Sequence, residues 1–520
     1  MIQTTFKTYS FFLGIAALVL FQLSCSVANK KKREVFTIAT YDDVKDWDPA
    51  TAFSLEVLPM ANIYEPLLWY DAGSNPPRFV PALATEYYRS EDGLSWTFKL
   101  RENVFFHDGE PFDASSVKYV VDRNKTLNRG PSYIWSSVAN IVVDNKYQIS
   151  FTLHEPVPLD RIVSSQYGAW LYSPALIVSD ISASQQVLAS GTGPYKLKEW
   201  EQNSHILLEK NDNYWGGWEK SHFKEVIIKV VSEASTRLQM LKKGLADFAV
   251  LIPAHLLKGI SQDSNLTISD YDSWINHFYL LNTKKFPTNN LWVRRAIASS
   301  FNRDILVDHI YSGTATKATG LLPQGLPLVY PPDSIIEYSI EKARSFLEKA
   351  GEPLESELEL SYVSTSEEYR LTSLMMLDNL RKIGIKLRPK PGLWTANWDK
   401  AKNLETAPNI ISMAWWPTLS SPSDWFYGLY KTEKEPLFNL AYYSDSAIDS
   451  LIDLAWVNES INPEMAADIY KQIQNILIDD CVAIPAVDLN IRSVYRFDIV
   501  GLKNNPAYSS LAIYGLQRRP

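Results

Sequence analysis

Residues 191–218, GTGPYKLKEWEQNSHILLEKNDNYWGGW, decide the fold more than any other stretch, because turn residues and two strand patterns follow in a fixed order. Gly191 and Gly193 can adopt positive φ, and Pro194 fixes the φ angle that follows. This combination is typical of a sharp turn rather than of a helix. The chain is therefore expected to enter the stretch through a turn.

Two strands follow that turn. Residues 195–200 alternate apolar and polar side chains, as a half-buried strand does, and residues 205–210 form a second strand after the polar loop 201–204. The two-residue period assigns Tyr195, Leu197 and Glu199 to one face of the first strand and Lys196, Lys198 and Trp200 to the other. The stretch as a whole predicts a β-hairpin.

The composition is that of a globular protein large enough for two or three domains. Of the 520 residues, 46% are hydrophobic and 21% are charged, so nothing in the composition indicates disorder. The formal net charge is −8, and residues 30–33 form the main basic block. A mildly acidic chain is a poor candidate for nucleic-acid binding, so we expect no nucleic-acid partner.

The N-terminus has the pattern of an export signal. Lys7 precedes the apolar run FFLGIAALVLFQL at residues 11–23. This run is shorter than the about 20 residues that span a bilayer, and it fits the apolar core of a signal peptide. We therefore assign residues 1–24 to a cleavable signal.

The end of this signal resembles a bacterial lipobox. In that motif the cysteine, here Cys25, is lipidated and becomes the mature N-terminus, and residues 26–33 would then be a short tether. Gln22 stands where the motif usually has an aliphatic residue. A soluble signal peptide with an accidental cysteine is the alternative.

Cys481 is the other cysteine of the chain. With Cys25 lipidated, no disulfide is available, so the fold has to be stabilised by burial of its core. Cys481 is then expected to be a buried thiol. If acylation fails, a bridge between the two cysteines is the open alternative.

Further strings stand in a fixed order along the chain. They are IYEPL at 63–67, NVFFHDGEPFDASSVKYVV at 103–121, RLQMLKKGLAD at 237–247, WVRRAIASSFNR at 292–303 and SIEKARSFLEKAG at 339–351. Together with the hairpin stretch they resemble the strings of the bacterial extracellular solute-binding proteins of the peptide and nickel class, the extracytoplasmic receptors of ABC importers. The resemblance covers about residues 35–500, and its collinearity makes it specific.

The resemblance implies an α/β fold, a two-lobed periplasmic binding protein with a hinge and an additional small α+β domain. The expected units are lobe I at residues 34–75, 191–275 and 488–520, the small domain at 76–190, and lobe II at 276–487.

Three local features of these sequence motifs each predict an element of local structure. Asp113 is a good N-cap for the helix that follows it, and Gly244 stands where a helix ends with a C′ glycine. His107 and Asp108 belong to a turn with Gly109 rather than to an acid–base pair, because no third group lies near them in sequence.

Catalytic signatures are absent from the sequence. It has no HExxH, GxSxG, P-loop or CxxC motif, and its seven histidines lack ligand spacing. Residues 191–193 lack the third glycine of a dinucleotide site. The resemblance therefore implies a binding protein rather than an enzyme, with no cofactor and no metal site. Two other classes stay open: an exported hydrolase whose catalytic groups meet only in the fold, and a surface lipoprotein that acts as an adhesin or sensor.

The resemblance also implies where a ligand lies between the lobes. The loop at residues 41–46 follows the first strand, and its backbone at Val44 and Lys45 is expected to lie beside the ligand, as in strand-like peptide pairing. Three aromatic residues match positions that line the cleft of peptide-binding members: Tyr133, Phe278 and Trp398.

Residues 413–427, MAWWPTLSSPSDWFY, are the most specific part of the expected site. Peptide-binding members carry GWxxDxxxP here, and the aspartate pairs with the free α-ammonium of the ligand. Trp415 and Pro422 match this pattern, but Thr418 stands at the aspartate position. An unpaired ammonium in a closed cleft would cost several kcal/mol. Either Asp424 or another acid replaces the aspartate, or the ligand lacks that charge.

Aromatic residues suggest a second property of the site. We hypothesise that Trp398, Trp415 and Trp416 form an apolar or stacking wall. The alternative is that Trp416 and Trp425 only pack the lobe. Ser412 replaces a basic residue that one peptide-binding branch carries nearby.

The function implied by the resemblance is transport. A monomer in the periplasm, anchored by its N-terminal lipid, would capture an (oligo)peptide, close around it, and deliver it to a permease and an ATPase that are separate chains. A glycan fragment, a modified or blocked peptide and a metal chelate are the alternative solutes.

Overall fold

A computed structural model describes residues 34–54, 56–175, 189–257, 259–260, 262–351 and 357–519. The predicted signal peptide at residues 1–24, the lipidation site Cys25 and the tether at 26–33 lie outside the described residues. Within the described ranges, no helix is long and apolar enough to cross a membrane.

One mixed sheet of 11 strands runs through the molecule, and smaller sheets lie beside it. In chain order the strands are β1 (Val35–Thr40), β2 (Leu68–Asp71), β3 (Arg78–Pro81), β4 (Ala84–Arg89), β5 (Ser95–Leu100), β6 (Val138–Asn145), β7 (Gln148–Leu153), β8 (Tyr195–Glu201), β9 (His205–Lys210), β10 (Glu225–Val230), β11 (Phe248–Val250), β12 (Leu266–Leu281), β13 (Ala315–Lys317), β14 (Leu358–Val363), β15 (Leu387–Gly392), β16 (Ile410–Trp415), β17 (Ala483–Arg496), β18 (Ile499–Val500) and β19 (Gln517–Arg518). The large sheet has the order β15-β14-β16-β12-β17-β11-β1-β10-β9-β8, with β13 paired to β17.

The two long antiparallel strands β12 and β17 join the two halves of this sheet. Residues 266–272 of β12 pair with residues 490–496 of β17, and residues 275–280 pair with residues 483–489. A bulge between Asp272 and Ile275 separates these two stretches. We call the half with β1 and β8–β11 lobe I and the half with β13–β16 lobe II. The expected two-lobed α/β architecture is confirmed, whereas the residue boundaries of the expected units stay a prediction.

Helices flank the strands of both lobes. They are α1 (Val57–Ile63), α2 (Ala114–Leu127), α3 (Leu159–Ile162), α4 (Ala234–Lys242), α5 (Ala254–Leu257), α6 (Leu291–Ser299), α7 (Arg303–Ile305), α8 (Ile340–Ala350), α9 (Glu367–Lys382), α10 (Trp394–Ala401), α11 (Ser423–Leu429), α12 (Ser446–Ile461) and α13 (Pro463–Asp479), with short 3₁₀ turns at Gly130–Trp135 and Ile513–Gly515 and a π turn at Leu306–Ile310. Asp113 caps α2 as predicted, because its carboxylate accepts the backbone N–H groups of Ser115 and Ser116. Gly244 follows α4 with φ +65°, as predicted for a C′ glycine.

A four-stranded antiparallel sheet of order β4-β5-β7-β6 stands apart from the large sheet. The turn that contains His107 lies between β5 and β6 in the chain, with Gly109 at φ +94°. His107 is 2.9 Å through Nε2 from the carbonyl oxygen of Gly193. Burial lowers the pKa of His107 to about 4, so the imidazole is neutral at pH 7. The prediction of a turn instead of an acid–base pair is confirmed.

The hairpin predicted from residues 191–218 is confirmed, but the reason for its glycines was wrong. Strands β8 and β9 pair antiparallel, and β9 also pairs antiparallel with β10. Neither Gly191 nor Gly193 has positive φ. A Cβ on Gly191 would lie 2.1 Å from the carbonyl oxygen of Ile63, and a Cβ on Gly193 would lie 2.7 Å from the same group. These glycines are needed because the backbone passes directly against the end of α1.

The predicted faces of β8 are also corrected by the structure. The register of β8 shifts between Leu197 and Glu199, so Lys198 is an extra residue in the strand. Leu197 is opposite Leu208 and Trp200 is opposite Ile206, and these partners lie two residues apart on one face. Trp200 therefore shares the face of Leu197, not that of Lys196.

A buried carboxylate joins the hairpin stretch to the IYEPL string. Glu65 accepts hydrogen bonds from Thr192 Oγ1 at 2.9 Å, Trp215 Nε1 at 2.8 Å and the Tyr214 hydroxyl at 2.9 Å. Burial raises the pKa of Glu65 to about 7, and the three donors oppose that rise. Two strings that are far apart in sequence thus form one packing unit.

Hydrophobic cores cover both faces of the lobe II strands. Phe278 and Leu280 of β12 enter the core formed with α12 and α13, and Tyr279 and Leu281 enter the core formed with α6 and α9. Cys481 lies in the second of these cores as a buried free thiol. This confirms the expected state of its side chain.

Candidate ligand-binding cleft

The carboxyl ends of parallel strands from both lobes supply the loops of the candidate cleft. In lobe I, β1 is parallel to β10 and β11, so the loops that follow them leave the same edge. In lobe II, β14 is parallel to β15 and β16. Ligands of open α/β sheets bind outside the carboxyl ends of such strands. The candidate cleft therefore lies at the loop of residues 41–48 and the loop of residues 416–422.

A buried arginine holds the edge of lobe I together. Arg237 donates from Nη1 to the carbonyls of Val231 and Ser232, both at 2.8 Å, after β10. It donates from Nε to Val250 at 3.1 Å and from Nη2 to Leu251 at 2.7 Å, at the end of β11. Because backbone carbonyls occupy this guanidinium, Arg237 shapes the loops instead of offering a charge to a ligand.

Aromatic side chains from both sides of the cleft meet at Phe438. Its ring centroid lies 5.5 Å from that of Trp398 in a stacked arrangement, 5.1 Å from Trp415 edge-on and 5.6 Å from Phe53. Phe53, which follows β1, also contacts Tyr167 with centroids 5.2 Å apart. Such rings offer a large apolar surface with polar tips. We call the following residues the aromatic cluster: Phe53, Tyr133, Tyr167, Trp398, Trp415, Trp416 and Phe438.

The three tryptophans of the hypothesised wall have different neighbours. Trp398 and Trp415 share Phe438, whereas Trp416 donates from Nε1 to the Tyr167 hydroxyl at 3.0 Å. Lys402 Nζ also lies 3.8 Å from the ring centroid of Trp398. The three tryptophans thus belong to one aromatic cluster, and their action as a wall for a solute stays a prediction.

Asp424 is the polar centre of the contact between the two sides. Its Oδ1 accepts the Tyr133 hydroxyl at 3.0 Å, and its Oδ2 accepts the Thr418 backbone N–H at 2.7 Å and Trp415 Nε1 at 3.2 Å. Burial raises the pKa of this carboxyl to about 6, against the effect of these donors. Both oxygens are therefore occupied by groups of the protein itself.

The remaining residues expected at the site have clear positions. The Val44 N–H donates to Asp43 Oδ1 at 2.8 Å, and the Lys45 N–H donates to Glu56 Oε1 at 3.3 Å, so both groups are used internally. Phe278 is 1% exposed and belongs to the same core cluster as Trp415, and its contact with a solute stays a prediction.

Ser412 belongs to a polar group inside lobe II. Its Oγ lies 2.8 Å from His277 Nε2, and His277 Nδ1 lies 3.1 Å from the Tyr311 hydroxyl. The His277 ring stacks on Tyr369 with centroids 4.2 Å apart. Burial lowers the pKa of His277 to about 3, so this histidine is a neutral core residue. Nowhere in the described ranges do three or more His, Cys, Asp or Glu side chains form a group suited to a metal ion.

Further contacts close the two sides on one another. Ser165 Oγ donates to the Thr418 carbonyl at 2.7 Å, and Gln166 Nε2 donates to the Pro417 carbonyl at 2.9 Å. Arg161 forms an ion pair with Glu459 of α12, with Nε 3.3 Å from Oε2. Side chains from the two sides therefore bridge the candidate cleft.

Sequence reasoning found some members of this site and missed others. Tyr133, Trp415, Thr418 and Asp424 come together, as the family pattern suggested. Phe53, Tyr167 and Phe438 were missed, because each lies in an irregular segment with no motif around it. Their only sequence signal is their aromatic character, which most core residues share.

The sequence of this chain is similar to those of known proteins. Residues 78–436 match the bacterial extracellular solute-binding proteins, family 5, middle region. The probable D,D-dipeptide-binding periplasmic protein DdpA of Escherichia coli is 25% identical over 430 residues, which cover 82% of each chain.

Solved structures share the fold at low identity. The periplasmic binding protein DppA of Helicobacter pylori, in complex with the peptide STSA, has a TM-score of 0.82 and 23% identity, covering 95% of this chain and 100% of that one. NikA of Staphylococcus aureus, in complex with Ni(L-His)2, has a TM-score of 0.79 and 18% identity, covering 94% and 100%.

Proposed function

The chain belongs to the bacterial extracellular solute-binding proteins of family 5, and from this membership we propose that it captures a peptide between its two lobes for an ABC importer. The names of DdpA and of the DppA complex, each of which refers to a peptide ligand, support peptide as the solute class. The chain would act by binding and release, without catalysis.

The observation that carries this proposal is the form of the connection between the lobes. Strands β12 and β17 cross from one lobe to the other and are interrupted by the bulge between Asp272 and Ile275. The other contacts described across the cleft are made by side chains, such as Tyr133 to Asp424 and Trp416 to Tyr167. Side-chain contacts can separate while two bulged strands bend, which is the geometry of hinge closure.

The solute would lie among the aromatic cluster and the loop at residues 41–46. Rings from both sides would replace their contacts with one another by contacts with the solute as it enters. The residues proposed to touch it are Val44, Lys45, Tyr133, Trp398, Trp415, Trp416 and Thr418. Asp424 would act there by holding the Thr418 loop against Tyr133.

Delivery requires partners outside this chain. A permease and an ATPase would receive the solute from a monomeric, periplasmic receptor. Lipidation of Cys25 would hold that receptor at the membrane, and residues 26–33 would allow it to reach the permease.

A metal chelate is the second candidate solute. The aromatic cluster favours it, because flat or shielded chelates can be held by ring contacts without protein ligands to the metal, and NikA was solved with such a complex. A glycan fragment would use the same rings.

Native mass spectrometry of the protein purified from its own cells tests the proposal. A mass adduct that fragments as a peptide and disappears after unfolding and refolding is the expected result. An adduct with a metal isotope pattern would favour the chelate. An adduct that is a hydrolysis product of an added peptide would overturn the binding role in favour of an enzyme.

A further inference from the structure

We propose that Glu56 receives the cationic group of the solute and thereby replaces the aspartate that is missing at Thr418. This inference rests on the proposed function and deepens it, because it names the solute class as peptides or similar solutes with a free ammonium next to an apolar body.

Asp424 is not free for this task. Its two oxygens already accept three hydrogen bonds, from Tyr133, Trp415 and the Thr418 backbone. An ammonium that approached this carboxylate would displace at least one buried donor and leave it unpaired, which costs about 1–3 kcal/mol. A different acidic residue of the cleft must therefore pair with a cationic ligand.

Glu56 has the required vacancy in its hydrogen bonding. The residue precedes α1 and is 5% exposed. Its Oε1 accepts the Lys45 N–H at 3.3 Å, whereas its buried Oε2 has no hydrogen-bond partner among the described residues. Burial raises the pKa of this carboxyl. A buried carboxylate oxygen without a partner is costly, and a ligand ammonium would supply the missing donor.

The position of Glu56 places it beside the aromatic cluster. The Tyr167 hydroxyl donates a hydrogen bond, at 3.0 Å, to the carbonyl of Ser54, which lies two residues before Glu56. The same hydroxyl accepts a hydrogen bond from Trp416 Nε1 of lobe II. Burial raises the pKa of Tyr167, and the negative charge of Glu56 adds to this rise. Glu56 thus lies between the loop at residues 41–46 and the contact that closes the cleft.

Two cations near this loop are engaged with other groups. Lys45 directs Nζ to Asp42 at 3.5 Å on the surface. Arg237, whose charge acts on Tyr41 in the same loop, donates to four backbone carbonyls. Neither side chain pairs with Glu56, so its charge stays available to a solute.

The chemistry of the ligand follows from this arrangement. One end would carry an ammonium that donates to Glu56 Oε2, and the adjoining body would be apolar or aromatic, to lie against Phe53, Phe438 and Trp398. A short peptide with a free N-terminus and an apolar side chain has both features. An N-acylated peptide has the body without the charge.

The test compares a mixture of free dipeptides with the same mixture after N-acetylation. Refolded wild-type protein, Glu56→Gln and the control Asp122→Asn are titrated, with thermal shift for affinity and native mass spectrometry for the bound mass. Asp122→Asn also removes one negative charge, but Asp122 is an exposed residue of α2 that pairs with Lys118 at 2.9 Å, outside the loop at residues 41–46. Wild type and the control are expected to bind the free mixture about thirty-fold or more tightly than the acetylated one.

Glu56→Gln is expected to bind both mixtures with the weaker affinity. Without ligand it should be at least as heat-stable as wild type, because it removes an unpaired buried charge; a merely structural acid would instead lose stability. Equal binding of both mixtures by wild type, or an unchanged preference in Glu56→Gln, would overturn this inference and leave peptide capture intact. Failure of wild type to bind either mixture would overturn peptide capture and this inference with it.

Discussion

Replacement of Glu65 by glutamine should change how the stability of the fold depends on pH. The pKa of Glu65 is raised from 4.5 to about 7 in the folded protein, mainly by burial. The folded state therefore keeps this proton more firmly than the unfolded state. The stability that the protonated group contributes is complete below pH 4.5 and is lost as the pH rises toward 7. A pKa displacement of this size corresponds to about 3 kcal/mol.

Glutamine keeps an acceptor for Trp215 and Thr192 and offers an amide N–H₂ to the Tyr214 hydroxyl, but it does not titrate. Urea unfolding of wild type and Glu65→Gln at pH 4.5, 5.5, 6.5 and 7.5 gives the difference in unfolding free energy. This difference cancels the contributions of the other buried carboxyls, such as Asp424, Glu56 and Glu459, because both proteins retain them. Wild type is expected to lose about 3 kcal/mol relative to the variant across this range. A difference that stays constant with pH would refute the buried, three-donor environment of Glu65.

Three further predictions concern the cleft and the anchor. Phe438→Ala should cost about 2 kcal/mol of stability and weaken solute binding in calorimetry, because it removes the ring shared by both sides of the cleft. The control Phe346→Ala should cost stability only, because the ring of Phe346 stacks on Trp292 away from the cleft. Equal solute affinities of the two variants would contradict the role of Phe438. Arg161→Gln should shift the protein toward an open form in small-angle scattering and weaken solute binding, because it leaves the buried Glu459 without its ion-pair partner. Adding Glu459→Gln should recover part of the lost solute affinity. No recovery would mean that loss of the ion pair is not the cause of the weaker binding. Mass spectrometry of the mature N-terminus should find a lipid on Cys25, and Cys25→Ser should release the protein from the membrane fraction; an unmodified cysteine would contradict the anchor.

Local patterns gave correct elements wherever the physical cause was local. The hairpin of β8 and β9, the cap at Asp113 and the C′ glycine at Gly244 depend on neighbouring residues, and each was predicted. The role of Gly191 was misjudged, because its cause is the carbonyl of Ile63, which only the fold brings within reach. The face of Trp200 was wrong because one extra residue in β8 reverses the alternation after it.

The site was predictable to the extent that one motif carried it. The string around Trp415 identified Thr418 and Asp424, which do meet, but it did not show that Asp424 is already fully hydrogen bonded. Phe438 was not predicted as a site residue, because it lies in an irregular segment that shows no periodic sequence pattern. Glu56 escaped it because an unpaired oxygen is a property of the folded surroundings, not of the sequence.

Closure of the two lobes around a solute changes the size of the molecule, which small-angle X-ray scattering measures. Refolded, ligand-free protein is measured before and after saturation with the solute recovered from the native protein, with saturation checked by native mass spectrometry. We predict a smaller radius of gyration with the solute, because the lobes bend about β12 and β17. An unchanged radius of gyration at saturation would contradict closure of the lobes.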